Sequence, residues 1–241
     1  MPQRTSLLPT LTIPRRFNGP PDSGNGGYVC GVFAIALEAD ARVRLIEPPP
    51  LERALEIRRD DAADRYALMD GDRAIATAKA SSLDLIDVPK APPHTLAVMA
   101  SQHCVGFHTH AFPTCFVCGP QRARGDGLRI FPGVLDSGIV AAPWLPGDDL
   151  GRDDGKVAVE FHWAALDCPG YYAVVGDAPR TMVLGEMQAH VDRRVRAGES
   201  CTVIGWRLGS DGRKHHAGTA IFDGNGELCA RARSTWIEVK K

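Results

Sequence analysis

The sequence predicts an α+β protein built twice over, each half a short apolar helix followed by antiparallel strands. Three observations point there. A polar, glycine-rich turn feeds an apolar helix near the N-terminus, over residues 22–37, and a strand followed by an Asp-Cys-Pro-Gly turn feeds a second one over residues 161–175. Runs with the two-residue period of half-buried strands follow both helices. Asp70-Gly71 in the first half, and Asp211-Gly212 and Asp223-Gly224 in the second, read as hairpin turns between such runs. Gly27-Tyr28 in the first copy answers Gly170-Tyr171 in the second, and the order of elements repeats as a tandem duplication would leave it.

Taken in order, residues 7–17 read as a first strand, placed at an edge by Pro9 and Pro14. Residues 18–27 form a turn-rich loop. The first helix, 27–38, is apolar nearly all round, which implies wrapping by other structure. Ala41, Val43 and Leu45 alternate with Arg42 and Arg44 in the next strand. Pro48-Pro49-Pro50 breaks the chain before three more strands at 51–58, 65–69 and 73–85. Residues 88–114 hold four prolines (Pro89, Pro92, Pro93, Pro113) and no clear period, so they read as a connection with a short helix at 95–102.

The second half opens with Cys115-Phe116-Val117-Cys118-Gly119-Pro120. Strands are expected at 127–131 and 137–144, a loop at 146–155, and a strand at 157–163 leading into the second helix. Asp167 is expected to cap that helix, Pro169 suits its first turn, and Gly170 lets another group come close to the backbone. Strands at 181–191, 201–208, 216–222 and 228–239 complete the series. The expected domains are residues 1–90 and 115–241, with 91–114 as linker. The natural packing is a curved sheet wrapped around each helix.

The bulk numbers exclude several classes. At 241 residues the chain is one large domain or two of roughly 120. Its 44% hydrophobic and 24% charged content is that of an ordinary globular protein. A net charge of −1 gives no electrostatic case for nucleic acid or a membrane surface. No apolar run approaches the ~20 residues of a membrane span. Without a signal-like apolar core near the start, and with seven scattered cysteines, a cytoplasmic protein with reduced thiols is expected.

Three short stretches resemble a known family. Gly26-Gly27-Tyr28-Val29 before small apolar residues is similar to the helix start of type II thioesterases. Cys115-Phe116-Val117-Cys118-Gly119, followed by Gly127-Leu128-Arg129-Ile130-Phe131, resembles the opening of many single-hotdog thioesterases, with Arg124-Gly125-Asp126 where Asn-Pro is usual. The chain thus resembles double-hotdog acyl-CoA thioesterases over most of residues 10–239. The resemblance implies a tandem hotdog in which each half is a curved antiparallel sheet around one central helix. It also implies that an acidic residue at a helix start activates water while backbone N–H groups hold the thioester carbonyl.

No Gly-x-Ser-x-Gly elbow and no phosphate-binding Gly-Lys-Ser/Thr loop is present, so chemistry falls to carboxylates, amides and helix ends. Asp167 is the candidate base, against the plainer role of a helix cap. Asn25 holds the neighbouring place in the first copy and cannot act as a base; Asp22 lies in a loop. Gly26, Gly27, Tyr28, Gly170 and Tyr171 are candidates to bind the carbonyl. Glu186, Gln188 and His190 share one strand face, either to position water or as a solvated or inter-half face. His162, near the same turn, is a candidate for substrate contact or a hydrogen-bonded structural histidine.

His103, Cys104, His108, His110, Cys115 and Cys118 form the densest group of potential ligands. A second Cys-x-x-Cys is missing and the histidine spacing fits no standard zinc finger, so no metal and no cofactor are expected. Arg122, Arg124, Arg213 and Lys214 could meet coenzyme A phosphates, or simply be solvated. The expected function is hydrolysis of an acyl-CoA-like small molecule bound between the halves, without nucleic acid or membrane, a homodimer of double hotdogs being open. The alternative is a non-catalytic acyl-ligand binder. A hotdog dehydratase would want a histidine just after Asp22 or Asp167, and none is there.

Overall fold

The structure, a computed structural model, describes residues 9–38, 40–83, 87–176 and 180–239. The start of the first expected strand (residues 7 and 8), the end of the 73–85 strand and the last two residues lie outside these. Among the described residues, eleven strands form one antiparallel sheet. The first half supplies β1 (Thr10–Thr12), β2 (Ala41–Leu45), β3 (Ala54–Asp60), β4 (Arg65–Asp70) and β5 (Arg73–Ala80). The second supplies β6 (Gly133–Val134), β7 (Val140–Trp144), β8 (Met182–Val191), β9 (Cys201–Asp211), β10 (Lys214–Phe222) and β11 (Leu228–Glu238).

Across the sheet the order is β1-β3-β4-β5-β2-β8-β11-β10-β9-β7-β6. Outward from the β2–β8 seam, the strands run β2, β5, β4, β3, β1 on one side and β8, β11, β10, β9, β7 on the other, with the two-residue β6 added beyond β7. The seam is closed by Arg42 opposite Gln188, Val43 opposite Met187 and Arg44 opposite Glu186. The Asp-Gly turns fall where the sequence puts them, and Gly71 and Gly212 take φ values of 61° and 55° that favour glycine.

Among the described residues, four α-helices accompany the sheet: α1 (Gly26–Ala36), α2 (His94–Ser101), α3 (Val159–Ala165) and α4 (Cys168–Val175). Helix α1 lies against β2 and β8, and α4 against β9 and β10. Helices α1 and α3 pack on each other so closely that a Cβ on Gly31 would stand 2.8 Å from Trp163 Cβ. No helix among the described residues is long and apolar enough to cross a membrane.

Three expectations need correction. Residues 157–163 are not a strand; Val159–Ala165 is helical. Its alternating apolar residues imitate a strand, yet the intervening residues are buried too, with Glu160 paired to Arg152 and His162 held by backbone. Apolar period cannot tell a strand from a helix buried on all sides. Residues 127–131 also form no strand. They bond instead to the cysteine turn, Leu128 N–H to Phe116 O at 2.8 Å and Ile130 N–H to Val117 O at 2.9 Å. The first strand shrinks to three edge residues followed by a 3-10 turn at Arg15–Phe17, as its prolines dictate.

Candidate active site

The site is built where the start of α1 meets the link between α3 and α4. Asn25 caps α1, its Oδ1 accepting the Tyr28 N–H at 2.9 Å. That bond fixes the amide, so Nδ2 points the other way and donates to Asp167 Oδ2 at 2.7 Å. The Gly27 N–H donates to the same oxygen at 3.0 Å. Asp167 was expected to cap its own helix, and it does not: its side chain makes no capping bond to α4. The tight α3–α4 link holds Asp167 at φ −73°, ψ −77°, and its carboxylate serves the positive end of α1 instead. Only glycine fits opposite, because a Cβ on Gly27 would lie 2.6 Å from both Asp167 Cβ and Trp163 O.

Asp167 is fully enclosed, and its Oδ1 meets no donor among the described residues. Burial pushes the carboxyl up to about 7, the negative character of Cys115 adds to this, and the Gly27 and Asn25 donors pull against it. Asp167 forms part of the wall of a mostly apolar cavity of about 220 Å³. Leu45 and Pro48 come to it from the first half, and Met182, Leu184, Trp236 and Ile237 from the second.

Of the residues expected to act in catalysis or to bind the carbonyl, Asn25, Gly26, Asp167 and Tyr171 line this cavity, and Gly27, Tyr28, Gly170, His162, Glu186 and Gln188 do not. The Gly27 N–H is taken by Asp167, and the Gly170 N–H is taken by the Asp167 carbonyl at 2.9 Å, so neither is free for a ligand. No acceptor among the described residues takes the Gly26 N–H. Tyr28 stacks on Phe17, ring centroids 4.3 Å apart, within the core.

Glu186 and Gln188 are turned away from the cavity. The β8–β11 register slips beside Gly185, with Glu186 opposite Thr235 but Leu184 opposite Trp236. That bulge reverses which residues face inward. Leu184 lines the cavity, and beyond the bulge Met187 and Ala189 are the buried ones. Gln188 donates to Ser81 O at 2.8 Å, Glu186 stands 3.9 Å from Arg42, and His190 lies beside Asp40 and Asp192. The trio thus belongs to the seam between halves. Arg122 is engaged by Thr114 O, Asp126, Arg16 O and Asn18 Oδ1, and it does not line the cavity.

His162 is a structural histidine. Its Nδ1–H donates to Ala158 O at 3.1 Å and its Nε2 accepts the Val195 N–H at 3.0 Å. Burial lowers the ring to about 4. The unfolded chain takes up this proton near pH 6.5 and the folded chain only near 4. This group's stabilisation is therefore complete above about 6.5 and lost as pH falls towards 4, by up to about 3 kcal/mol. The Asp167 carboxyl works in the opposite sense over an overlapping range, so the histidine's own NMR titration is the proper readout. We expect a ring that stays neutral down to about pH 4; titration at its ordinary value would refute the burial argument.

The sequence did not reveal Cys168 as a neighbour of Cys115 and Cys118, all three of which line the cavity. Nor did it reveal the Asn25–Asp167 bond, which joins residues from different halves. His103, Cys104 and His108 do not line the cavity with that group; His110 does.

No family model matches this sequence, and no curated protein does either. Solved structures do match in fold. A putative thioesterase from Novosphingobium aromaticivorans aligns over 96% of this chain and 95% of its own, with a TM-score of 0.63 and 12% identity. The tesB protein of Mycobacterium avium subs paratuberculosis aligns over 92% and 90%, with a TM-score of 0.58 and 12% identity. The chain therefore shares the hotdog-like fold of these structures, at an identity that speaks to architecture alone.

Proposed function

We propose that the chain is a thioester hydrolase made of two fused hotdog units, residues 1–90 and 115–241, joined by 91–114. The matching order of strands on either side of the β2–β8 seam supports the duplication. The activity carried by the names of the structural neighbours comes to this chain only through its own site. The observation that carries the reading is the Asp167 carboxylate: one oxygen tied by Asn25 and Gly27, the other without a donor, at the wall of an apolar cavity.

A water bonded to Asp167 Oδ1 would attack the thioester carbonyl carbon and give its proton to the carboxylate. The oxyanion formed would accept the unclaimed Gly26 N–H at the start of α1, where the helix dipole also favours negative charge. Collapse of the tetrahedral intermediate breaks the carbon–sulfur bond. The thiolate leaves and takes up the proton, and a carboxylic acid remains.

Cavity size sets the expected acyl group. A mostly apolar cavity of about 220 Å³ favours a short or single-ring acyl group over a long chain. A panel of acyl-CoAs is expected to show turnover of short or single-ring acyl groups, with long chains at least about tenfold poorer in kcat/KM. Thermal shift is run beside it. Ligand-induced stabilisation with no turnover of any member would remove the hydrolase and leave an acyl-ligand binder.

A further inference from the structure

We propose that Cys115, Cys118 and Cys168 form a three-thiolate site for one zinc ion, its fourth coordination position open to the cavity. This reading does not depend on the hydrolase reading, and it reverses the expectation from spacing alone that no metal is held.

All seven cysteines are free and buried, but only these three sulfurs converge, within 4.8 Å of one another. Cys115 Sγ and Cys168 Sγ are 3.8 Å apart, and Cys118 Sγ and Cys168 Sγ 3.0 Å. With zinc–sulfur bonds of ~2.3 Å, the edge of a tetrahedral site is about 3.8 Å. Of the three pairs, Cys115–Cys168 already has that spacing, Cys118–Cys168 reaches it by a shift of less than about 1 Å, and Cys115–Cys118 lies within 4.8 Å. Cys115 and Cys118 come from one tight turn, closed by Gly119 N–H to Cys115 O at 2.9 Å. Cys168 is the first residue of α4. An all-thiolate donor set selects zinc and softer ions over magnesium or calcium.

A second observation is the pair of N–H donors aimed at these sulfurs. His110 Nδ1 accepts the Phe112 N–H at 3.0 Å, so in the neutral ring Nε2 carries the hydrogen, and it lies 3.3 Å from Cys118 Sγ. A histidine bound to a metal through Nε2 would instead donate from Nδ1. His110 is thus a hydrogen-bond donor to a ligand, not the fourth ligand. Asn25 Nδ2 approaches Cys115 Sγ at 3.9 Å with its second hydrogen. Three thiolates and a dication leave one negative charge, which these donors offset. Binding releases the three thiol protons to solvent. The three cysteines line the cavity, so the remaining position takes water or a thiol from there.

The test titrates the reduced, chelator-stripped full chain with Co²⁺ as an optical probe and Zn²⁺ as competitor, under anaerobic conditions. Saturation is expected at about one Co²⁺ per chain, with a sulfur-to-cobalt charge-transfer band and the strong visible absorption of four-coordinate cobalt, both bleached by Zn²⁺. Cys168→Ser is expected to weaken Zn²⁺ binding by about 100-fold or more. His110→Ala should weaken it by about 10–100-fold with the charge-transfer band retained. Cys201→Ala, outside the cluster, should bind as the parent does. No charge-transfer band in the reduced parent, or Cys168→Ser binding like the parent, overturns the proposal; should that variant not fold, the parent titration decides alone. These readouts are optical, so they can fail while acyl-CoA turnover stands, and the reverse.

Discussion

Replacing Asp167 by asparagine is expected to lower kcat/KM for acyl-CoA hydrolysis by about 10³-fold and to leave the protein at least as heat-stable as its parent. The size is that of losing a positioned general base. The fold should survive because the amide has the carboxylate's shape, and its oxygen can still accept the Gly27 and Asn25 donors. Stability should hold or rise because the parent must bury an ionisable carboxyl, which an uncharged amide avoids, while the amide nitrogen takes the place of an oxygen that already lacks a partner. Kinetics on the best acyl-CoA and a melting curve measure the two halves of this expectation. Full activity in the variant would eliminate Asp167 as the base. Lost activity with a collapsed melting temperature would point to a structural carboxylate.

Gly27→Ala is expected to act through packing. Its new Cβ would sit 2.6 Å from Asp167 Cβ and from Trp163 O, and the second of these is backbone that cannot turn aside. Either α1 moves away from the α3–α4 link or the link distorts. Both weaken the Gly27 N–H bond to the carboxylate. Overpacking and the weakened charged hydrogen bond together should cost about 3 kcal/mol, or about 6–12 °C in Tm for a chain of this size. Activity should fall further than stability, because the base loses a group that orients it. Gly224→Ala is the control: its Cβ would come no closer than 3.4 Å to Ser200 O, and little change is expected. Equal melting temperatures for the two variants would show that the helix start does not pack against Asp167 as described.

Much of the site was legible before the fold, though not its wiring. Asp167 and Asn25 stood out because each precedes an apolar helix beside glycine, and both line the cavity. Glu186 and Gln188 were singled out by strand alternation, which holds only while the pairing is regular. The slip beside Gly185 reverses the inward face, and a lone glycine within a strand was the only signal. Cys115 and Cys118 carried an obvious spacing, while Cys168 lies 50 residues beyond Cys118 and reads locally as a helix start.

The sequence by itself determined most of the strand order, the Asp-Gly turns, the regions where the two apolar helices begin and the apolar character of those helices. These follow from backbone preference and local period, which act over a few residues. Only the tertiary structure decided that residues 159–165 are helical, that Asp167 serves the helix of the other half, and that Cys168 completes the thiol cluster. The second rests on packing α1 on α3, contacts between residues more than a hundred positions apart, and the third on sulfurs 50 and 53 residues apart. Burial on every side erases the periodic signal that local reading needs.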